Sequence, residues 1–337
     1  MLLAILLVLS FTLTFLLTQR VRKISLKYKL LDYPVERSSH STITPRGGGL
    51  AIVIVFTGAL ACAARFGLIA VDVFTTIIVG AMLVALVGWL DDIGKANAWF
   101  KLCVHFCAAI WIIDRIGGFN ELSFGFATFH FGLLGSAAAV LAAVWIINLY
   151  NFMDGIDGIA TTEAVFVSAT AGFIFWLKGM PSLANVLWIL AAAALGFLKW
   201  NWPPAKIFMG DVGSGFFGFV FAATMFIGAR QSSPSFIWIW LILLGSFVAD
   251  ATITLLRRIR QGSRWNQAHK RHAYQHLARA KGHKNTTIAI TALNICWLAP
   301  LALLASILES SAFMIACIAT IPLCLAALHF KAGLKNE

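Results

Sequence analysis

The feature that most constrains this chain is a succession of apolar runs near helix-spanning length, at about 1–18, 48–66, 69–89, 98–114, 132–148, 158–177, 182–198, 212–229, 236–256, 286–307 and 311–330. A helix of about twenty apolar residues matches the hydrocarbon core of a bilayer, where the backbone has no hydrogen-bond partner but itself. Charged residues make up only 12% of the 337, against about a quarter in an ordinary soluble domain. The chain therefore reads as an all-α polytopic membrane protein of about 11 transmembrane helices, one integral domain over 1–337. An odd number of spans puts the two ends on opposite sides.

Charge sets the orientation. The first run has no basic residues before it and is followed by Gln19-Arg-Val-Arg-Lys23, the reverse of a cleaved signal peptide, so it reads as a retained span. With the N-terminus outside and the C-terminus cytoplasmic, 22 of the 26 Lys and Arg fall in inner connections; Arg65, Arg115, Lys178 and Arg230 are the outer ones. The net charge of +12 is then a property of the cytoplasmic face. It suits anionic lipid and anionic substrates and gives no support for nucleic acid. All six cysteines lie in apolar runs without CxxC spacing and read as small buried hydrophobes. Outside, the alternation in Asn120-Glu-Leu-Ser-Phe-Gly-Phe-Ala-Thr-Phe-His-Phe131 suggests a short hairpin.

The acids are not scattered. Asp91 and Asp92 end the third run, Asp154 and Asp157 begin the sixth, and Asp211 begins the eighth. In the orientation above all five lie at the cytoplasmic boundary. A carboxylate at mid-bilayer costs roughly 2.5–3.5 kcal/mol, so one could be tolerated near the interface as a cap, whereas five on one side point to a site. In Asn148-Leu-Tyr-Asn151-Phe-Met-Asp154-Gly-Ile-Asp157-Gly158 the polar residues are spaced by three. On an unbroken helix each step turns the side chain by about 60°, so the set would fan out. Gly155 and Gly158 permit a break, and the expectation is a helix ending near Asn151, with both Asp side chains on a turn converging with the Asn pair.

A second constellation is Lys199-Trp-Asn201-Trp-Pro-Pro-Ala-Lys206-Ile-Phe208-Met-Gly-Asp211-Val-Gly213-Ser-Gly215-Phe-Phe-Gly218. Its G-x-G-x-x-G opens a membrane span instead of following a strand, so it is not a dinucleotide fingerprint. What remains is an Asp at a helix start with an aromatic three residues upstream. Two basic segments share the face. Arg37-Ser-Ser-His40-Ser-Thr-Ile-Thr-Pro45-Arg46-Gly-Gly-Gly49 combines phosphate-ready donors with a flexible glycine run, and Arg264-Trp-Asn-Gln-Ala-His269-Lys-Arg271-His272-Ala-Tyr-Gln-His276 packs three histidines among cations. Facing carboxylates repel unless a cation joins them, and all-oxygen sites select hard divalent ions such as Mg²⁺. Surrounding Lys, Arg and His then suit a diphosphate, and the membrane surface suits a lipid phosphate as second reactant.

Together PRGGG at 45–49, DD at 91–92, NxxNxxDGxDG at 148–158, FMGDVGS at 208–214 and the histidine loop resemble the polyprenyl-phosphate N-acetylhexosamine-1-phosphate transferases, over nearly the whole chain. This family includes the phospho-N-acetylmuramoyl-pentapeptide transferase of peptidoglycan synthesis and the enzymes that initiate O-antigen and teichoic acid synthesis. The resemblance implies a multi-pass enzyme of the bacterial inner membrane, with Mg²⁺ as cofactor and Mn²⁺ as a substitute. Its active site would face the cytoplasm, built from the connections at about 19–46, 90–97, 149–157, 199–211 and 257–285. It would move a sugar 1-phosphate from a UDP-sugar to undecaprenyl phosphate with release of UMP. By motif, Asp211 and Asn151 are the implied metal ligands, Asp91 the base on the lipid phosphate and Asp92 its supporting carboxylate. Asn148, Asp154, Asp157, Asn201 and Phe208 fall on the nucleotide side. His40, Arg46, His269, Arg271 and His272 would hold phosphate or sugar. Members of the family often form homodimers.

The HKRHAYQH loop and eleven spans lean toward the O-antigen branch, and hence toward UDP-GlcNAc or a 6-deoxy relative such as UDP-FucNAc or UDP-QuiNAc. The pentapeptide transferase is the alternative within the family. From another class, an ion-coupled transporter or flippase would need acids near mid-bilayer, and only Asp250, about two-thirds along the ninth span, fits that demand.

Overall fold

Helix α8 (Asp211–Gln231) forms the centre of the bundle, with every residue from Val212 to Ala229 buried. A helix apolar all round is expected in such a place. Its glycines show what the G-x-G-x-x-G spacing is for. A Cβ on Gly213 would lie 2.9 Å from Gly49 Cα, and one on Gly218 would lie 2.7 Å from Ile147 Cα. Small residues let membrane helices approach backbone to backbone, so the motif is a packing seam.

The computed structural model describes residues 1–34, 42–262 and 270–334. Around α8 stand α1 (Leu2–Lys27), α2 (Gly49–Arg65), α3 (Val71–Asp92), α4 (Ala98–Arg115), α5 (Leu133–Phe152), α6 (Ile159–Leu177) and α7 (Pro181–Asn201). Beyond it follow α9 (Phe236–Leu243), α10 (Gly245–Arg260), α11 (Ala273–Lys281), α12 (His283–Leu293), α13 (Ala299–Ile307) and α14 (Ala312–His329). Helices α3, α5 and α2 pack on α8, while α6 and α7 form a hairpin against α1. The protein is an all-α polytopic membrane protein. Each of the eleven apolar runs is helical. Among the described residues eight helices are long and apolar enough to cross a membrane, nine if the bent pair α9–α10 counts as one. The two remaining runs are α2, apolar but of 17 residues, and α4, which carries Lys101, Asp114 and Arg115.

Two boundaries differ from expectation. Helix α1 runs on to Lys27, because 19–27 are mostly good helix formers with no Gly or Pro to stop them. The ninth run is bent by 79° at Leu244. A second irregularity faces this bend, a π-turn at Asn294–Leu298 just before Pro300, which has no N–H to keep the ladder in register. Asn294 donates to Glu163 Oε2 of α6 (2.5 Å) and Ser246 of α10 donates to Glu163 Oε1 (3.3 Å), so one buried carboxylate joins both irregularities.

The hairpin expected at 120–131 is present as β3 (Glu121–Ser123) and β4 (Thr128–His130), antiparallel with Glu121 opposite His130. A shorter pair, β1 (Leu31–Asp32) and β2 (Thr44–Pro45), brings the glycine motif to the far end of the bundle.

Candidate active site

At that end the chain forms a cavity of about 270 Å³. The stretch from Asn148 to Gly158 breaks as expected. Helix α5 ends at Phe152, and Gly158 turns the backbone with φ +76 before α6 begins. Asn151, Asp154 and Asp157 face the cavity, joined by Asp211 from the start of α8, Asp92 from the end of α3, and Asn201, Phe208 and Arg46. Eight side chains anticipated from sequence thus meet in one pocket, brought from five separate parts of the chain.

The acids are held in different ways. Asp92, 4% exposed, accepts from the backbone N–H groups of Asp211 (3.0 Å) and Val212 (3.1 Å). These are two of the donors a helix start leaves unpaired, so α3 caps α8 across the core. Gly210 makes room: its φ is +77, and a Cβ there would lie 2.5 Å from Asp92 Oδ2. Arg46 donates to the Asp92 carbonyl. Asp211 itself accepts from Lys101 Nζ (2.5 Å), which also reaches Asp91 (3.0 Å), and Asn151 is its amide neighbour. Asp157 accepts from the Ala205 N–H (3.0 Å) and lies 3.3 Å from His283 Nδ1. Burial, then the neighbouring charges of Asp211, Asp92 and Asp157, push the Asp154 carboxyl well above its ordinary range.

Other anticipated residues are placed differently. Asn148 turns back on its own helix, donating to the Val144 carbonyl (2.8 Å), so the two Asn residues do not converge. Both lie on the unbroken part of α5, where a spacing of three still separates them by about 60°. Asp91 is outside the cavity lining and meets the site at Asp211 and Lys101. His272 is 3% exposed, with Nδ1 3.1 Å from Asp250 Oδ1, and it starts α11. The same carboxylate accepts from the N–H groups of Ala273 (3.0 Å) and Tyr274 (2.9 Å), so Asp250 is the anchor of this loop. Arg271 is tied by its carbonyl to the Gly333 N–H (2.6 Å) and does not line the cavity. His40 and His269 lie outside the described residues. Asn201 lines the wall with both amide ends engaged, accepting from Thr161 (2.8 Å) and donating to the Ile207 carbonyl (3.1 Å).

The glycine motif also has a different use. The N–H groups of Gly48 and Gly49 donate to the carbonyls of Phe208 (2.9 Å) and Met209 (2.8 Å), and Phe208 N–H returns to Pro45 (2.8 Å). Those two amides hold the 202–210 loop and are not available to a phosphate.

Sequence reasoning missed Asp32, Ser214, Gln275 and His283 in the lining, and Lys101 behind it. Lys101 had a signal: a cation inside an apolar run is costly without a partner. Gln275 lies three residues beyond His272, one turn on, and His283 directly follows a glycine at a helix start.

The donor set fits a hard divalent cation. Carboxylate and amide oxygens of Asp211, Asp154 and Asn151 share the cavity. Among the described residues no three His, Cys, Asp or Glu stand close enough to hold a metal by themselves. A hard divalent cation held there would take one or two of these carboxylates and complete its shell with water and substrate phosphate.

Known proteins resemble this chain over most of its length. Residues 74–229 match the glycosyl transferase family 4 model. The chain is 32% identical over 280 residues to the probable undecaprenyl-phosphate N-acetylglucosaminyl 1-phosphate transferase of Bacillus subtilis, covering 82% of this chain and 77% of that protein. It is 27% identical over 309 residues to the decaprenyl-phosphate N-acetylglucosaminephosphotransferase of Mycobacterium tuberculosis, covering 82% and 76%. To the phospho-N-acetylmuramoyl-pentapeptide-transferase of Streptococcus pneumoniae it is 30% identical over 233 residues, covering 62% and 70%.

Proposed function

Because the chain belongs to glycosyl transferase family 4, the polyprenyl-phosphate N-acetylhexosamine-1-phosphate transferases, we propose that it transfers N-acetylhexosamine 1-phosphate from a UDP-sugar to undecaprenyl phosphate. An oxygen of the lipid phosphate bonds to the sugar-bearing phosphorus, the bond to the other phosphate breaks, and UMP leaves. The product is a lipid-linked diphosphosugar. The observation that carries this reading is the gathering of Asp92, Asp154, Asp157 and Asp211 with Arg46 and His283 around one cavity.

Asp211, Asn151 and Asp154 would hold Mg²⁺, which supplies charge neutralisation to a diphosphate. Asp91, held beside Asp211 by Lys101, takes the proton of the lipid phosphate. Arg46 and His283 orient phosphate oxygens, and Phe208 offers its ring to the uracil. Asp157 and Asn201 fix the wall around the nucleoside. The greater coverage by N-acetylglucosaminyl relatives, 82% against 62% of this chain, favours GlcNAc over the muramoyl pentapeptide, and a 6-deoxy relative is the second donor we propose. The charge asymmetry between connections supports a cytoplasm-facing site; we place the reaction in a bacterial plasma membrane, at the first step of O-antigen or related envelope polysaccharide synthesis.

The test is purified protein with undecaprenyl phosphate, Mg²⁺ and a panel of UDP-sugars, followed by UMP release. UDP-GlcNAc or a 6-deoxy UDP-HexNAc should support turnover, and EDTA should abolish it. Turnover unchanged in EDTA would overturn the metal assignment, and flux across liposomes without any UMP release would favour a transporter.

A further inference from the structure

The loop at 202–210 separates two cavities at the same end of the bundle. One is the acidic pocket. The other, about 520 Å³, opens on the α1–α7 face and is lined by Phe11, Leu195, Leu198, Lys199, Trp202 and Lys206, together with the two prolines of the loop. The cavities share no described lining residue, and no acidic side chain lines the second among the described residues.

We propose that this second cavity binds an anionic phospholipid, with the phosphodiester between Lys199 and Lys206 and an acyl chain along Phe11, Leu195 and Leu198. The order of the lining matches such a ligand. Leu195 and Lys199 are exposed residues one turn apart on α7, so an apolar stripe ends in a cation at the membrane boundary. Lys206 is anchored by its backbone: its N–H donates to the Trp200 carbonyl (2.8 Å), and its carbonyl accepts from Arg22 Nε of α1 (3.0 Å). Its ammonium lies 5.7 Å from the Trp200 ring centroid. A third cation, Arg22, therefore adjoins the site. No acid lines the cavity among the described residues, and Phe11 and Leu195 of its apolar part are exposed, so an anionic lipid satisfies both halves.

The loop has consequences for the acidic pocket. Ala205 donates to Asp157, and the Phe208 and Met209 carbonyls hold Gly48 and Gly49. A lipid held by Lys206 on one side thus steadies backbone that lines the acidic pocket on the other.

Native mass spectrometry of the detergent-purified full chain with phosphatidylglycerol or phosphatidylcholine tests the site without reference to turnover. One phosphatidylglycerol should be retained where phosphatidylcholine is not. The double variant Lys199→Gln/Lys206→Gln should bind it about thirty-fold more weakly, about 2 kcal/mol. In nanodiscs, hydrogen exchange across 202–210 should be slower in phosphatidylglycerol than in phosphatidylcholine, and the variant should lose that difference. Equal retention of the two lipids by the wild-type protein would overturn the proposal, as would unchanged retention by the variant. Displacement of phosphatidylglycerol by equimolar undecaprenyl phosphate would overturn it in favour of an acceptor site. All these readouts stand apart from the sugar-transfer reading, whose own failure would appear only in UMP release.

Discussion

Lys101 Nζ lies 2.5 Å from Asp211 Oδ2 and 3.0 Å from Asp91 Oδ2, so a single ammonium on α4 joins the end of α3 to the start of α8. Removing it leaves two partly buried carboxylates facing each other without a counter-charge. Lys101→Met is expected to lower UMP release about 100-fold or more, the scale of losing a group that positions a proton-transfer partner. Lys101→Arg should keep the fold, since the charge remains, yet stay well below wild type because a planar guanidinium does not reproduce a point charge between two acids. Paired measurements of turnover and thermal midpoint in detergent separate the two effects. Turnover of Lys101→Met equal to wild type would remove Lys101 from the site.

Asp92 acts first on the fold. Its carboxylate takes the N–H groups of Asp211 and Val212, a cap supplied from another helix. Asp92→Ala should destabilise the protein by about 1–2 kcal/mol, measured by denaturant titration in detergent. Asp92→Asn, which keeps one acceptor, should lose less. An equal loss from both substitutions would mean that the charge matters and the cap does not.

The fold was legible wherever composition alone decides. Each apolar run is helical, Gly158 breaks the Asn148–Gly158 stretch, and the 120–131 hairpin pairs as its alternation implies. The acidic pocket was legible to the extent that charge at one boundary must gather. What the sequence could not show is which partner each polar group takes. Asn148 and Asn151 look alike in the motif, but a hydrogen bond to Val144 sends one of them away. Gly48 and Gly49 look like a phosphate nest, but their amides are spent on the 202–210 loop. His272 looks like a ligand, and packing with Asp250 makes it the start of a helix. Each of these depends on contacts between residues far apart in the chain, which spacing does not encode.

Asp250 holds α11 in place from within α10. One carboxylate accepts from the Ala273 and Tyr274 N–H groups and lies against His272 Nδ1; one turn further on from His272, Gln275 reaches the cavity. Hydrogen bonds to a charged group contribute about 1.5–3 kcal/mol each. Asp250→Ala should therefore raise amide exchange across 273–281 tenfold or more. His272→Ala, which removes one of the three partners, should raise it less. Exchange unchanged in Asp250→Ala would show that α11 is held by other contacts.

The crossing of α2 with α8 gives a sharp packing test, because two glycines of α2 have opposite surroundings. A Cβ on Gly49 would lie 2.4 Å from Gly213 Cα, and backbone cannot yield as a side-chain tip can. A Cβ on Gly58 would meet nothing within 4 Å. Gly49→Ala must push α2 off the start of α8, at a cost of about 1–3 kcal/mol for overpacking. It also shifts the Gly49 N–H that holds Met209 beside Asp211, so turnover should fall along with stability. Gly58→Ala removes unfolded-chain freedom without a clash and should be neutral or stabilise by about 0.4–1 kcal/mol. Thermal midpoints and UMP release of the two variants, measured side by side, check the packing seam. Equal midpoints would mean that α2 and α8 are not in contact at Gly49 and Gly213.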